Sequence, residues 1–366
     1  MFFLTLFIAL MAVLALCAFY LMTRFRQMWL HGRDPKTLPK KTRRNIWLFS
    51  ILPILPLAAG CVIEPYVVVV AALHLILFWI LFDLIFAIVS KCTKKRISEW
   101  ICGICAISCT VIYLTYCCFV ALHVVRTDYD IRTEKVIPEL RIAMIADSHI
   151  GACFDGEGFA EHLQEIAQNQ PDMLLISGDF VDDDTTRIDM VRCCQALGEL
   201  DLPYGVFYVP GNHDAGYSEY RDFKYEDLVT ELRNNHVYVL EDEVVEFDDV
   251  YIVGRKDRSM NRLPIEDLLA PLDPEKYIVV LDHQPNDYDA EEKAGCDLVV
   301  SGHTHGGQML PINWVGEWIG ANDATYGMIK RQNTVFIVTS GIADWAVPFK
   351  SATVSEYCMI DVKGEE

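Results

Sequence analysis

The chain has 366 residues, 52% of them hydrophobic, and 31 Lys and Arg against 51 Asp and Glu, a formal net charge of −20. The excess is uneven: residues 1–126 carry 13 basic and 4 acidic side chains, a balance of +9, and the rest carry 18 and 47, a balance of −29. A part this acidic repels nucleic acid and other polyanions away from any bound cation, which argues against them as partners.

Residues 1–125 read as a membrane region. Residues 2–22, 46–63, 66–89 and 101–125 are four apolar stretches, each about long enough to cross a hydrocarbon core of roughly 30 Å. Pro53 and Pro56 are expected to kink the second. The first has no basic segment ahead of it, so it reads as an anchor and not as a cleaved signal peptide. A buried core helix is the alternative for any one stretch; four in succession, separated by basic loops, favour the membrane. Residues 23–45 hold eight Lys or Arg against Asp34, and Lys91, Lys94, Lys95 and Arg96 follow the third stretch. Both basic loops fall on one side, which the positive-inside rule makes cytoplasmic. A multi-pass protein of the cell membrane with its C-terminal domain extracytoplasmic is expected. His74 and Asp83 are polar residues within the third stretch, on opposite faces of one helix.

Residues 126–140 read as a short juxtamembrane linker, and 141–366 as one domain with a substantial core. Five short runs rich in Val and Ile read as buried strands: 142–146, 173–177, 206–209, 278–281 and 298–301. Helices are expected over Glu157–Gln168, with Asp155 as cap, Thr186–Leu197 and Tyr225–Asn234. Further strands are expected over Val244–Gly254, Thr334–Ser340 and Thr353–Val362. The mixture is α/β.

A short polar motif follows each of the five buried runs. They are Asp147-Ser148-His149, Gly178-Asp179, Gly211-Asn212-His213-Asp214, His283, and Gly302-His303-Thr304-His305. Strand ends are where open α/β sheets place their ligand sites. Carboxylate, amide and imidazole donors suit Zn, Fe or Mn. Counted as Asp, His, Asp, Asn, His, His and His, the motifs supply seven donors, too many for one ion and about right for two ions sharing a carboxylate.

Other features are more ambiguous. Asp182-Asp183-Asp184 reads as a solvated loop. Arg255, Lys256 and Arg258 read as a surface turn, or else as a grip on a second phosphate or a head group. Residues 310–319, with Trp314 and Trp318, read as satellite core, an apolar wall beside the metals, or a lip at the membrane interface. Eight of the 13 cysteines lie in or beside the apolar stretches, and the other five suggest no disulfide framework.

The motif set resembles the calcineurin-like metallophosphoesterase superfamily, with its D-x-H, G-D, G-N-H-[DE], H and G-H-x-H pattern, from about Arg141 to Val362. The string from Ser301 to Gln308 and the segment Gly341–Phe349 are similar to a bacterial, membrane-associated branch that includes UDP-2,3-diacylglucosamine pyrophosphatase-like enzymes. The resemblance implies a two-sheet αββα sandwich after a four-helix transmembrane region. It implies that Asp147, His149 and His305 bind one divalent ion, that Asn212, His283 and His303 bind another, and that Asp179 bridges them. It further implies catalysis by His213, oriented by Asp214, with a metal-activated water attacking phosphorus. The expected activity is hydrolysis of a phosphate ester or pyrophosphate bond in a phosphorylated small molecule or lipid, close to membrane lipid. The rivals are a non-catalytic metal-binding scaffold and a nuclease of the same superfamily.

Overall fold

A computed structural model describes residues 2–217 and 221–364, with side chains described from residue 12 onward apart from 61 and 62. The chain divides into two compact units, 1–116 and 117–366.

The first unit is helical: α1 (Phe2–Leu30), α2 (Lys40–Ile51), α3 (Ile54–Ile63), α4 (Pro65–Thr93) and α5 (Glu99–Leu122), the last ending inside the second unit. Among the described residues, α4 and α5 are long and apolar enough to cross a membrane. That is fewer than the four spans expected. The stretch 46–63 is divided between α2 and α3 because Pro53 has no N–H to continue the helical ladder. Much of the stretch 2–22 has side chains outside the described residues. Leu21, Phe25, Met28, Trp79, Cys102 and Ala106 form the unit's core. Asp83 is paired with Arg24 and accepts a hydrogen bond from Cys102 Sγ at 3.1 Å.

The second unit contains two six-stranded sheets. The first is built from β1 (Val124–Thr133), β2 (Leu140–Ile145), β3 (Met173–Ser177), β4 (Gly205–Val209), β5 (Tyr238–Val239) and, far along the chain, Ser355–Gly364. The second is built from β6 (Glu243–Glu246), β7 (Val250–Gly254), β8 (Tyr277–Leu281), β9 (Leu298–Ser301), β10 (Gly327–Arg331) and β11 (Thr334–Val338). Ser355–Gly364, here β12, lies between β1 and β2, so the first sheet runs β1-β12-β2-β3-β4-β5. The second runs β10-β11-β9-β8-β7-β6. The inner strands of both are parallel, with antiparallel pairs at β2–β12, β6–β7 and β10–β11.

The strands read as unbroken apolar runs because both faces of each sheet are covered. In β2, Ile142 and Met144 face the other sheet and pack with Val279, Leu281 and Val300. Ala143 and Ile145 face outward onto α6 (Gly156–Ala167), α7 (Arg187–Gly198) and α8 (Tyr225–Asn234). The outer face of the second sheet carries α9 (Ile265–Leu269) and α10 (Tyr288–Ala294). The architecture is the expected αββα sandwich. A last short helix, α11, spans Val315–Trp318.

The α6 and α7 caps follow the sequence: Asp155 accepts from Gly158 N, and Thr186 from Asp189 N. Two elements differ from expectation. Residues 244–254 form a hairpin, not one strand, because Asp248-Asp249 turns the chain. The expected linker is largely β1, paired in parallel with β12 over ten positions. Its alternating charges, Arg126, Asp128, Asp130 and Arg132, suit an edge strand and disguise it as a linker.

Candidate metal centre

Parallel strands β2, β3, β4, β8 and β9 all end at the same edge of the sandwich, and each delivers its polar motif there. The turns are tight. Asp147, His149, Asp179, His303 and His305 all have positive φ, between 35° and 71°, a conformation non-glycine residues seldom adopt. Such strain is retained where the surroundings over-determine the geometry, commonly at functional sites. Gly178, at φ 84°, has no room for a Cβ, which would lie 2.6 Å from His283 Nδ1. The bareness of that turn lets β3 and β8 meet.

The side chains converge in two sets of expected donors, and His149, Asp182 and His213 form a third group beside the first. Asp147, His149 and His305 each bring a donor atom within 4.8 Å of the others, and so do Asp179, His283 and His303. Asp179 Oδ2 lies 3.1 Å from His283 Nε2 and 3.7 Å from His149 Nε2, which places it between the sets. Asn212 Oδ1 lies 3.2 Å from His283 Nε2. Asp147 accepts from His303 N at 2.9 Å, and Asp179 Oδ1 accepts from His213 N at 2.8 Å.

This donor set fits cations. His283 Nδ1 donates to the Ser177 carbonyl at 2.8 Å, so in the neutral ring Nε2 presents a lone pair. That lone pair faces two oxygen acceptors, with a positive charge needed among them. Without a metal, a proton has to serve. Burial lowers the basicity of His283, but Asp179 overrides it and raises the imidazole well above its ordinary value. Burial pushes the Asp147 carboxyl up to about 6, and burial with the neighbouring His283 pushes His303 down to about 4. His149 Nε2 and His305 Nε2 face one another at 3.3 Å in the other set.

His213 sits beside both sets, its ring centroid 5.0 Å from that of His149. Its expected orienting partner, Asp214, is not the one the structure supplies. Asp214 is fully buried and accepts from the backbone N–H groups of Phe180, Val181 and Gly211, tying the β3 and β4 turns together. Asp182 takes the orienting position: Oδ1 lies 3.1 Å from His213 Nδ1, and Oδ2 lies 3.0 Å from His149 Nδ1. Burial opposes its ionisation, but these two imidazoles hold the carboxyl well below the usual range. The first residue of the expected solvated loop therefore belongs to the site. Asp182→Asn is expected to keep the fold and lower turnover by about 10–100-fold, the scale of an outer partner of a metal-site histidine. Turnover of the two forms at equal metal content checks this, and parity would remove Asp182 from the site.

A second carboxylate borders the site without a signal in the sequence. Asp344 is buried, with Oδ1 3.8 Å from His305 Nδ1 and 3.1 Å from Lys350 Nζ. Burial pushes it up to about 6 against the pull of Lys350. No spacing in the sequence marks it, since it reaches His305 only through the β11–β12 connection. Neither the surface turn nor the alternative phosphate grip holds for Arg255. Its guanidinium is buried and paired with Asp282, Asp287 and Glu291. Tyr217 and Trp345 flank His213, with ring centroids 5.1 and 5.6 Å away, and Tyr217 OH accepts from Asn212 Nδ2 at 3.1 Å.

Residues 140–307 match the family described as calcineurin-like phosphoesterase. An uncharacterized metallophosphoesterase of Helicobacter pylori is 29% identical over 230 residues, covering 61% of this chain and 60% of its own length. One of Aquifex aeolicus is 28% identical over 249 residues, covering 65% and 91%. A Danio rerio protein, described as a transmembrane protein with metallophosphoesterase domain, is 27% identical over 253 residues, covering 64% and 56%. The chain thus spans about three fifths of the Helicobacter relative's length, 60%.

Proposed function

We propose that this chain, which carries a calcineurin-like metallophosphoesterase domain, is a membrane-anchored hydrolase of a phosphate ester or pyrophosphate bond that works with two divalent ions. The observation that carries this reading is the position of Asp179 Oδ2, one buried oxygen within 3.7 Å of ring nitrogens from both sets. Asp147, His149 and His305 would hold one ion. Asn212, His283 and His303 would hold the other, and Asp179 both. Bound there, Mn, Fe or Zn would supply charge opposite the phosphate oxygens and acidify a water. The remaining work falls to the protein. Asp182 fixes the ring of His213 through Nδ1, which leaves Nε2 to give a proton to the departing oxygen. Tyr217 holds the amide of Asn212. Metal analysis after Mn or Zn loading should find two ions per chain, together with hydrolysis of an aryl phosphodiester or a pyrophosphate. At most one ion, or no hydrolysis of either, would overturn the reading.

The membrane half of the proposal rests on charge and on the apolar helices. The basic loops before α2 and after α4 share one side only if the bent α2–α3 pair crosses the bilayer. Residues 46–63 supply about 27 Å of helix for that crossing, at 1.5 Å per residue. The catalytic domain then lies outside the cytoplasm. A reporter fused after residue 366 should register an extracytoplasmic position, and a cytoplasmic signal would reverse the topology. Only one residue separates α5 from β1, which favours an amphiphilic or envelope-derived substrate held near the membrane over a soluble nucleotide. The charge of −29 over residues 127–366 counts against a nuclease, and the convergence of the expected donors, five of them at positive φ, counts against a scaffold.

A further inference from the structure

The last turns of α5 are hydrogen-bonded into the same loops that border the metal centre. The Cys117 carbonyl accepts from Lys350 N at 3.1 Å, and the Ala121 carbonyl accepts from Ser355 Oγ at 2.8 Å. Ser351 N and Ala352 N, the next residues of that loop, donate to the Gln308 carbonyl at 2.9 and 3.2 Å. Gln308 Nε2 in turn donates to the carbonyls of Trp345 and Val347. Gln308 lies three residues after His305, and the backbone of Asn313 closes against Gly307 so tightly that no Cβ fits there. One cluster of loops therefore joins the end of a candidate membrane helix, the rim of the metal centre and the segment that follows Gln308.

That segment is apolar and solvent-facing. Leu310, Ile312, Trp314, Trp318 and Ile319 are exposed by 46%, 64%, 53%, 75% and 66%. Trp345, beside His213, is 41% exposed. None of them belongs to the buried core clusters, so the satellite-core reading fails. Glu317 is the one charged residue between 310 and 319, in a domain otherwise dense with carboxylates. A contiguous apolar surface of this kind marks an interaction site. Two tryptophans with an otherwise uncharged apolar neighbourhood suit the membrane–water interface, where the ring is buried and the indole N–H stays wet.

We propose that residues 310–319, with Trp345, form an interfacial dock that rests on the bilayer entered by α5 and presents the mouth of the metal centre to lipid-borne phosphate esters. Charge supports this occupant. The carboxylate-rich remainder of the domain is repelled by anionic head groups, so the neutral, aromatic segment is the part able to settle into them. The position of α5 supports it too, because the segment is hydrogen-bonded to loops that hold the end of that helix. The substrate clause rests on the phosphoesterase reading above; the dock itself does not.

The test uses the full chain in nanodiscs of phosphatidylcholine, with or without bromine on the acyl chains. Tryptophan emission is compared between the wild-type chain and Trp314→Phe/Trp318→Phe. The emission lost on substitution should be strongly quenched in brominated discs. If that difference signal is equally bright in both lipids, the dock is overturned, whether the rings face water or are covered by another copy. A second arm uses Trp314→Glu/Trp318→Glu with two aryl phosphodiesters, one water-soluble and one bearing a long alkyl chain dissolved in the disc. Turnover of the soluble ester should be unchanged. Turnover of the alkyl ester should fall by about tenfold or more, the scale of one buried aromatic side chain. An equal rate on the alkyl ester would overturn the delivery role. Failure of the wild-type chain to cleave either ester would instead overturn the phosphoesterase reading and leave the quenching result standing.

Discussion

His213→Ala is expected to retain both metal ions and a normal melting temperature, yet to lose about 10²–10⁴-fold in turnover on a substrate whose departing oxygen needs a proton. The residue follows Asn212 directly, but its ring groups with His149 and Asp182 and lies outside the sets built on Asp147 and Asp179. Its Nδ1 is held by Asp182, and its side chain is accessible enough to meet a ligand. An aryl ester, whose oxygen departs without protonation, should suffer far less than an alkyl ester. The measurement is turnover of both esters at matched metal content. Loss of metal from His213→Ala, or an equal loss on both esters, would show that the ring acts as a ligand or a scaffold and not as a proton donor.

Asp179→Asn is expected to fail differently, through the metals. The amide is nearly isosteric, and its oxygen can still accept from His213 N, so the fold should survive. What disappears is the one negative charge shared by the two sets. Burial opposes ionisation of this carboxyl, and His283, His149 and His213 together hold it well below the usual range, so it stays charged where neighbouring Asp147 rises. Removing it should cost at least one ion per chain and more than the roughly 10–100-fold in rate that an outer partner commands. Metal analysis alongside turnover checks this. Full occupancy in the variant would mean that Asp179 does not bridge.

The strand ends were legible in the sequence because each polar motif follows an apolar run with both faces buried. That regularity is local, so the seven expected donors could be named from it. The partners of those donors are set by tertiary placement. Asp182 looked like part of an acid-rich loop because nothing in its sequence context says that two imidazoles will point at it. Asp344 reaches His305 through a connection that carries it back, and Arg255, read as part of a surface turn or else a phosphate grip, is buried against Asp282, Asp287 and Glu291. The Asp214 role implied by the resemblance is not met, because its carboxylate is taken up by the backbone N–H groups of Phe180, Val181 and Gly211 while Asp182 meets His213. At the membrane end, hydropathy located the apolar stretches and Pro53 marked the break in the second. The edge strand β1 passed as a linker because its charges interrupt the apolar signal.

The position of β12 has a consequence for biosynthesis. Residues 355–364 are inserted between β1 and β2, elements more than two hundred residues earlier. Until that stretch emerges, the first sheet has a gap next to its edge strand, and β1 has nothing to pair with. Strands β2, β3 and β4 can associate as they appear, but the pairing that anchors the chain leaving α5 is among the last to form. Folding is therefore governed by closure of a very long loop, a slow event with unpaired strand edges exposed meanwhile. If the domain crosses the membrane during synthesis, it emerges with β1 unpaired and the sheet open between β1 and β2 until residues 355–364 follow.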